Sequence, residues 1–191
     1  MKKVKIVAVV GSLRQESLNR QLALAAQELL GEKADFELLD YADLPLFNED
    51  IEFPTPAAVS RVREQVNSAD GVWFFTPEYN HFFPGVLKNL IDWLSRPISK
   101  QERKMVLAGK PAAVSGISTG TSGTLLAQHH LVALISSLNM DVMNVPRLTI
   151  PGHLQQVDEH GKLTLTSSKR YLERQATAFI NFIQKRLQQH E

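Results

Sequence analysis

Residues 4–10, Val-Lys-Ile-Val-Ala-Val-Val, are almost wholly apolar and end at Gly11. A run without polar alternation predicts a strand buried on both faces, as in parallel sheets. Ser12 to Ser17 is polar. Leu18, Leu22, Ala25, Ala26, Leu29 and Leu30 then recur at helical spacing, and Gly31 stands where that helix would stop. Phe36 to Leu39 predicts a second strand, and residues 42–56 are irregular, with three prolines and several acids. Val59, Val62 and Val66 predict a short helix, and residues 71–76, Gly-Val-Trp-Phe-Phe-Thr, a third strand. Pro84 opens a helix at a favoured first-turn position, carrying Leu87, Leu90, Ile91 and Leu94, with Pro97 just beyond its end. Pro111 to Ile117 predicts a fourth strand, and a Gly/Ser/Thr loop runs from it to Gly123. A helix with Leu125, Leu126, Val132, Ile135 and Leu138 follows, then a fifth strand over 141–145. Residues 150–167 read as a loop or hairpin, and Leu172, Ala176, Phe179, Ile183 and Leu187 mark a last helix.

Strands alternating with helices imply a parallel sheet covered on both faces. Five strands in this length suggest the flavodoxin-like doubly wound type, a three-layer α/β fold with strand order 2-1-3-4-5, and a single domain over 1–191. In such sheets ligands bind beyond the carboxyl ends of the strands. The loops to search are therefore 11–19, 76–84 and 115–123.

Composition narrows the chemistry. Lys plus Arg is 21 and Asp plus Glu is 20, a net charge of +1, without the basic excess of a nucleic-acid binder. The absence of cysteine removes disulfides, thiol catalysis and cysteine-ligated metals. The longest apolar run near the N-terminus, Ile6–Val10, is too short for a signal core or a membrane span. The expectation is a soluble cytoplasmic protein with no membrane partner. His129 and His130 are adjacent on one helix, so their side chains diverge, and no metal site is expected.

The first loop feeds Ser12, Arg14, Ser17 and Asn19 into a helix start, where free N–H groups and the helix dipole favour an anion. Ser17 reads equally well as a helix cap, with Arg14 solvated. The loop is neither a Walker loop nor a Gly-x-Gly-x-x-Gly. The second loop offers backbone, an aromatic ring and an amide to a flat heteroaromatic ring, or else forms a rigid proline-bounded turn. In the third, Gly116-Ile-Ser118-Thr-Gly120 matches Gly-x-Ser-x-Gly. A serine hydrolase would then need Asp141 or Asp158 with His153, His160 or His190.

Two of these loops together carry a resemblance. Gly11-Ser-Leu-Arg-x-x-Ser-x-Asn-Arg20, with Pro77-Glu-Tyr-Asn80 and Pro84-Gly-x-Leu-Lys-Asn-x-Ile-Asp-Trp93, resembles the NADPH-dependent FMN reductase family, in its chromate/quinone reductase and azoreductase branch. The match runs over nearly the whole chain. It implies an FMN-dependent enzyme that takes electrons from NADPH or NADH and reduces a small-molecule acceptor such as a quinone, an azo compound, a nitroaromatic or chromate. By resemblance, Ser12, Arg14, Ser17, Leu18 and Asn19 would hold the phosphate. Pro77, Glu78, Tyr79 and Asn80 would contact the ring and ribityl chain, and Ser115, Gly116, Ser118, Thr119 and Gly120 would close the other edge. No side chain would act as catalyst, because the flavin carries the redox chemistry.

Two departures stand out. Phe82 and Phe83 replace a small polar and an aliphatic residue, which places two rings at the substrate pocket, and Thr121 and Ser122 separate Gly120 from Gly123. A flavodoxin-type electron carrier is the alternative, but such carriers are strongly acidic and lack an arginine like Arg14. Val86 and Trp93, off the core stripe of their helix, suggest a homodimer, either alone or as one half of a tetramer.

Overall fold

The computed structural model describes residues 3–101 and 104–189. The expected sheet is present. β1 (Val4–Val10), β2 (Ala34–Leu38), β3 (Gly71–Phe75), β4 (Pro111–Ile117) and β5 (Asp141–Val142) stand in the order β2-β1-β3-β4-β5, all parallel. The helices are α1 (Leu18–Leu30), α2 (Ala57–Ser68), α3 (Gly85–Leu94), α4 (Leu125–Ser137) and α5 (Lys169–Gln188). One buried cluster joins one sheet face to α1 and α5 around Trp73, Phe75, Leu22 and Phe179. A second joins the opposite face to α2, α3 and α4 around Phe74, Leu87, Leu90 and Leu131. Gly31 ends α1 as expected, with φ +49° and its N–H donating to the Gln27 carbonyl.

Three expectations change. The fifth strand does not run over 141–145. It stops at Val142, and β6 (Leu148–Ile150) takes over the pairing with the far end of β4. The Val145–Pro146 peptide bond is cis. Gln175 closes the gap, its Nε2 donating to the carbonyls of Val114 (2.9 Å) and Pro146 (3.1 Å). Proline cannot donate to a ladder, so its presence breaks the strand.

Leu125 and Leu126 do not face the core. Both are exposed, and Ala127, Gln128, Leu131 and Ile135 make the buried stripe of α4. Trp93 does not point outward. It is fully buried, its ring edge-on to Phe47 at 4.9 Å and its Nε1 donating to the Pro45 carbonyl at 2.8 Å. Asn89 donates to the same carbonyl (2.9 Å) and accepts from the Phe47 amide (2.8 Å). Arg96 forms a bidentate pair with buried Glu52 at 3.0 and 2.9 Å. The irregular 42–56 segment is thus fastened along α3.

Candidate functional site

The parallel register brings the carboxyl ends of β1, β3 and β4 to one level. Gly11 N–H donates to the Phe75 carbonyl (2.8 Å) and Thr76 N–H to the Ser115 carbonyl (2.9 Å), so all three searched loops leave the sheet at the same edge.

In the first loop, the hydroxyl of Ser17 accepts the Arg20 N–H (3.4 Å) and caps α1. Ser12 accepts the Arg14 N–H (3.4 Å), which bends the loop. The exposed Arg14 guanidinium donates to the Glu16 carbonyl at 2.9 Å. Among the described residues, the amides of Leu13, Gln15, Glu16, Leu18 and Asn19 have no protein acceptor. Loop amides left open beside a helix N-terminus and an arginine form an anion cradle. The Asn19 side chain takes no place in it: this residue is 3% exposed and bonds both its amide atoms to Ile117.

In the second loop, Tyr79 and Phe82 exchange two backbone hydrogen bonds of 3.0 Å around Asn80 (φ 52°) and His81 (φ 62°). Two successive positive φ angles define a type I′ turn, to which Asn is suited. The turn holds Tyr79 and Asn80 out into solvent. Glu78 does not. Its side chain is 8% exposed, and Oε2 accepts the Ala127 N–H at 3.0 Å, at the start of α4. Its other oxygen lies 3.6 Å from His81 Nδ1. Pro77 is buried. Phe82 stacks on Phe83 at 4.4 Å and meets the His130 ring at 4.6 Å. Phe83 is 4% exposed and belongs to the core, whereas Phe82 is 43% exposed.

In the third loop, the first two nominated residues face inward. Ser115 is fully buried, its hydroxyl accepting from Trp73 Nε1 (2.7 Å) and donating to Gln175 Oε1 (2.6 Å). Gly116 lets the Thr76 carbonyl and Thr124 approach so closely that a Cβ there would lie 2.2 and 2.3 Å from their oxygens. Thr119 and Gly120 are exposed, and their amides have no protein acceptor among the described residues.

Ser118 donates its hydroxyl to the Gly123 carbonyl, which ties the loop shut. That hydroxyl meets no histidine. Asp141 pairs with Arg186, and Asp158 accepts the amides of Lys162 and His160, which hold its carboxyl below the usual range. His190 lies outside the described residues. No hydrolase triad is assembled among the rest.

A cavity of about 690 Å³ opens between the first loop and the segment after β6. Arg14, Leu18 and Thr119 line one side, and His153, Val157 and Lys162 the other. The Val157–Leu163 bridge makes this segment a hairpin. The sequence offers His153 only as a triad histidine; the connection from β6 to α5, not a motif, brings it to this cavity.

Residues 4–155 match the family model described as NADPH-dependent FMN reductase. The chain belongs to that family. The reductase is 38% identical over 170 residues to the 2-hydroxy-1,4-benzoquinone reductase of a Burkholderia species, covering 89% of this chain and 91% of that protein. It is 37% identical over 188 residues to a quinone reductase of Escherichia coli K12, covering 96% and 97%. Its structure is similar to that of FerB, a flavoenzyme NAD(P)H:(acceptor) oxidoreductase from Paracoccus denitrificans, with TM-score 0.85, 34% identity and coverage of 96% and 98%. The reductase is thus a flavodoxin-like oxidoreductase that works with FMN and NAD(P)H.

The residues present fit FMN. The open amides of Leu13, Gln15, Glu16, Leu18 and Asn19 beside Arg14 suit its phosphate, and the exposed 79–80 turn and the open amides of 119–120 suit a flat ring with carbonyl edges. Among the described residues, no group of His, Asp and Glu side chains could hold a metal ion, and no helix is long and apolar enough to cross a membrane.

Proposed function

We propose that the reductase is one flavodoxin-like FMN-binding domain over 1–191, which uses NADPH or NADH to reduce a quinone-type acceptor between the three loops. The observation that carries this reading is the row of unpaired loop amides beside Arg14 at the carboxyl edge of the sheet. The two quinone-reducing relatives support the choice of acceptor. Bound FMN supplies two-electron chemistry between donor and acceptor.

The chain's own residues do the rest. Ser12 and Ser17 shape the phosphate loop and cap its helix, and the amides of Leu18 and Asn19 with the Arg14 guanidinium bind the anion. Pro77 and Glu78 anchor the turn that carries Tyr79 and Asn80 to the ring. Ser115, Gly116 and Ser118 hold the third loop in place so that the backbone of Thr119 and Gly120 faces the flavin. Fixed N–H donors of this kind stabilise negative charge without reorganising. Phe82, propped between Phe83 and His130, lines the acceptor side.

The same reading takes the reductase to work in the cytoplasm as a homodimer, either alone or as one half of a tetramer. The support for association is the set of exposed apolar side chains on and beside α3 and α4, namely Leu46, Phe82, Val86, Leu125 and Leu126. Light scattering at micromolar concentration should show at least a dimer, and a monomer refutes that part. For the activity, the purified protein should be yellow, with FMN released on denaturation. It should consume NAD(P)H steadily in the presence of benzoquinone. A colourless protein that cannot be loaded with FMN overturns the reading. A flavodoxin-type carrier would bind FMN without catalysing that consumption.

A further inference from the structure

We infer that Asn19 is a positioning residue whose side chain locks the phosphate loop to the end of β4 and does not touch the phosphate. This rests on the FMN reading above. Asn19 lies in the first turn of α1, next to the open amides, so the family pattern alone suggests a direct contact. The geometry assigns its side chain elsewhere. Nδ2 donates to the Ile117 carbonyl at 3.0 Å, and Oδ1 accepts the Ile117 N–H at 3.0 Å.

The reason lies in the sheet. Along a strand, residues two apart direct their backbone groups to the same side. Ser115 gives its carbonyl to Thr76 N–H on the β3 side (2.9 Å), so Ile117 turns its N–H and C=O the same way. There β3 has already ended at Phe75. Both Ile117 groups would be buried and unpaired, a costly state. The Asn19 amide presents one donor and one acceptor side by side and takes the place of the missing strand.

Through that pair the start of the phosphate-loop helix is tied to the residue preceding Ser118, and hence to the third loop. The backbone N–H of Asn19 stays free for the anion, so one residue splits its work. With both its amide atoms bonded to Ile117, the side chain is turned away from where a phosphate would arrive.

The test separates the two roles by ligand. The full chain and Asn19→Leu, which removes both hydrogen bonds without adding charge, are stripped of flavin. Each is then titrated with FMN and with riboflavin, which lacks the phosphate. If Asn19 positions the loops, both ligands weaken together, by about 10-fold or more, and the ratio of their Kd values stays within about 3-fold of the unmodified chain. Loss of FMN affinity alone overturns the inference, because it marks a phosphate contact. Unchanged Kd values with a lowered Tm also overturn it, because they mark a role in stability only.

Should Asn19→Leu not fold, NMR on the unmodified chain decides. Between its FMN and riboflavin complexes, the backbone amides of Leu18 and Asn19 should shift and the Asn19 side-chain amide should not. An equal shift of that side-chain amide refutes the assignment. Failure of the unmodified chain to bind either flavin would instead overturn the functional reading on which the inference rests.

Discussion

Gly116→Ala should be among the most disruptive single-methyl additions to this protein. The new Cβ would lie 2.2 Å from the Thr76 carbonyl oxygen, 2.3 Å from Thr124 Oγ1 and 2.9 Å from Thr124 Cβ. None of these can simply rotate aside. The Thr76 carbonyl is backbone, held by the Thr76 N–H bond to Ser115 (2.9 Å). Thr124 is fully buried, and its hydroxyl accepts from Gln128 at 2.9 Å. Overpacking costs about 1–3 kcal/mol, and a clash with backbone belongs at the upper end, about 3 kcal/mol. In a domain of this size that lowers Tm by roughly 6–12 °C. Gly71→Ala is the internal control. Its Cβ meets side-chain ends, Ile183 Cδ1 at 2.6 Å and Phe179 Cζ at 3.1 Å, which can give way. It should cost about 1 kcal/mol, or roughly 2–4 °C. Thermal melts by circular dichroism with bound flavin removed measure both. Because Thr76 and Thr124 flank the second and third loops, Gly116→Ala should also weaken FMN. Equal shifts for the two variants, or a Gly116→Ala shift below about 3 °C, refute the reasoning.

Arg14→Ala should weaken FMN by about 1.5–3 kcal/mol and leave riboflavin unchanged in fluorescence titrations; equal losses for the two refute a phosphate contact. Phe82→Ser should alter the ratio of kcat/KM for a quinone over chromate, whereas Phe83→Ile, at a 4% exposed site, should mainly lower Tm; an unchanged ratio in Phe82→Ser with FMN still bound removes that ring from acceptor choice. Burial holds the Tyr41 phenol above its usual range, and its hydroxyl donates to the Val10 carbonyl at 2.6 Å. The folded state therefore keeps that proton more tightly than the unfolded chain, so the stabilisation is complete below about pH 10 and is lost as pH rises beyond it. The urea midpoint should fall on that alkaline limb, and Tyr41→Phe should flatten it at a cost of about 0.5–1.5 kcal/mol at neutral pH.

The layers, the strand order and the three loops were legible because each rests on a local pattern. Unbroken apolar runs mark inner strands, and a 3.6-residue period marks helices. What a polar residue does at such an edge is not local. Ser115 and Asn19 carry the groups a flavin site needs, yet each meets a partner far along the chain, Gln175 and Ile117. Spacing cannot tell a buried hydrogen-bond partner from a ligand contact. Glu78 is alike: a carboxylate in a loop gives no hint that it will cap a helix starting almost fifty residues later. The inner face of α4 departs from the apolar pattern because Leu125 and Leu126 fit such a stripe, while the buried face includes the polar Gln128, whose Nε2 donates to Thr124 Oγ1 and the Leu148 carbonyl. The fifth strand is shorter than 141–145 because Val142, Met143 and Val145 read as one strand, whereas the chain leaves β4 after Val142 and pairs with it again only from Leu148.

The fastening of residues 42–56 along α3 changes what a neighbouring molecule would encounter there. Leu87, Leu90, Ile91 and Leu94 fill the core side of this helix, and Asn89, Trp93 and the nearby Arg96 are taken up by the strap. Much of the relief presented on that flank is therefore drawn by the strap, and Leu46, 82% exposed, is its most prominent apolar point. Changes in the strap can thus reshape the outer surface while the helix beneath keeps its seat in the core.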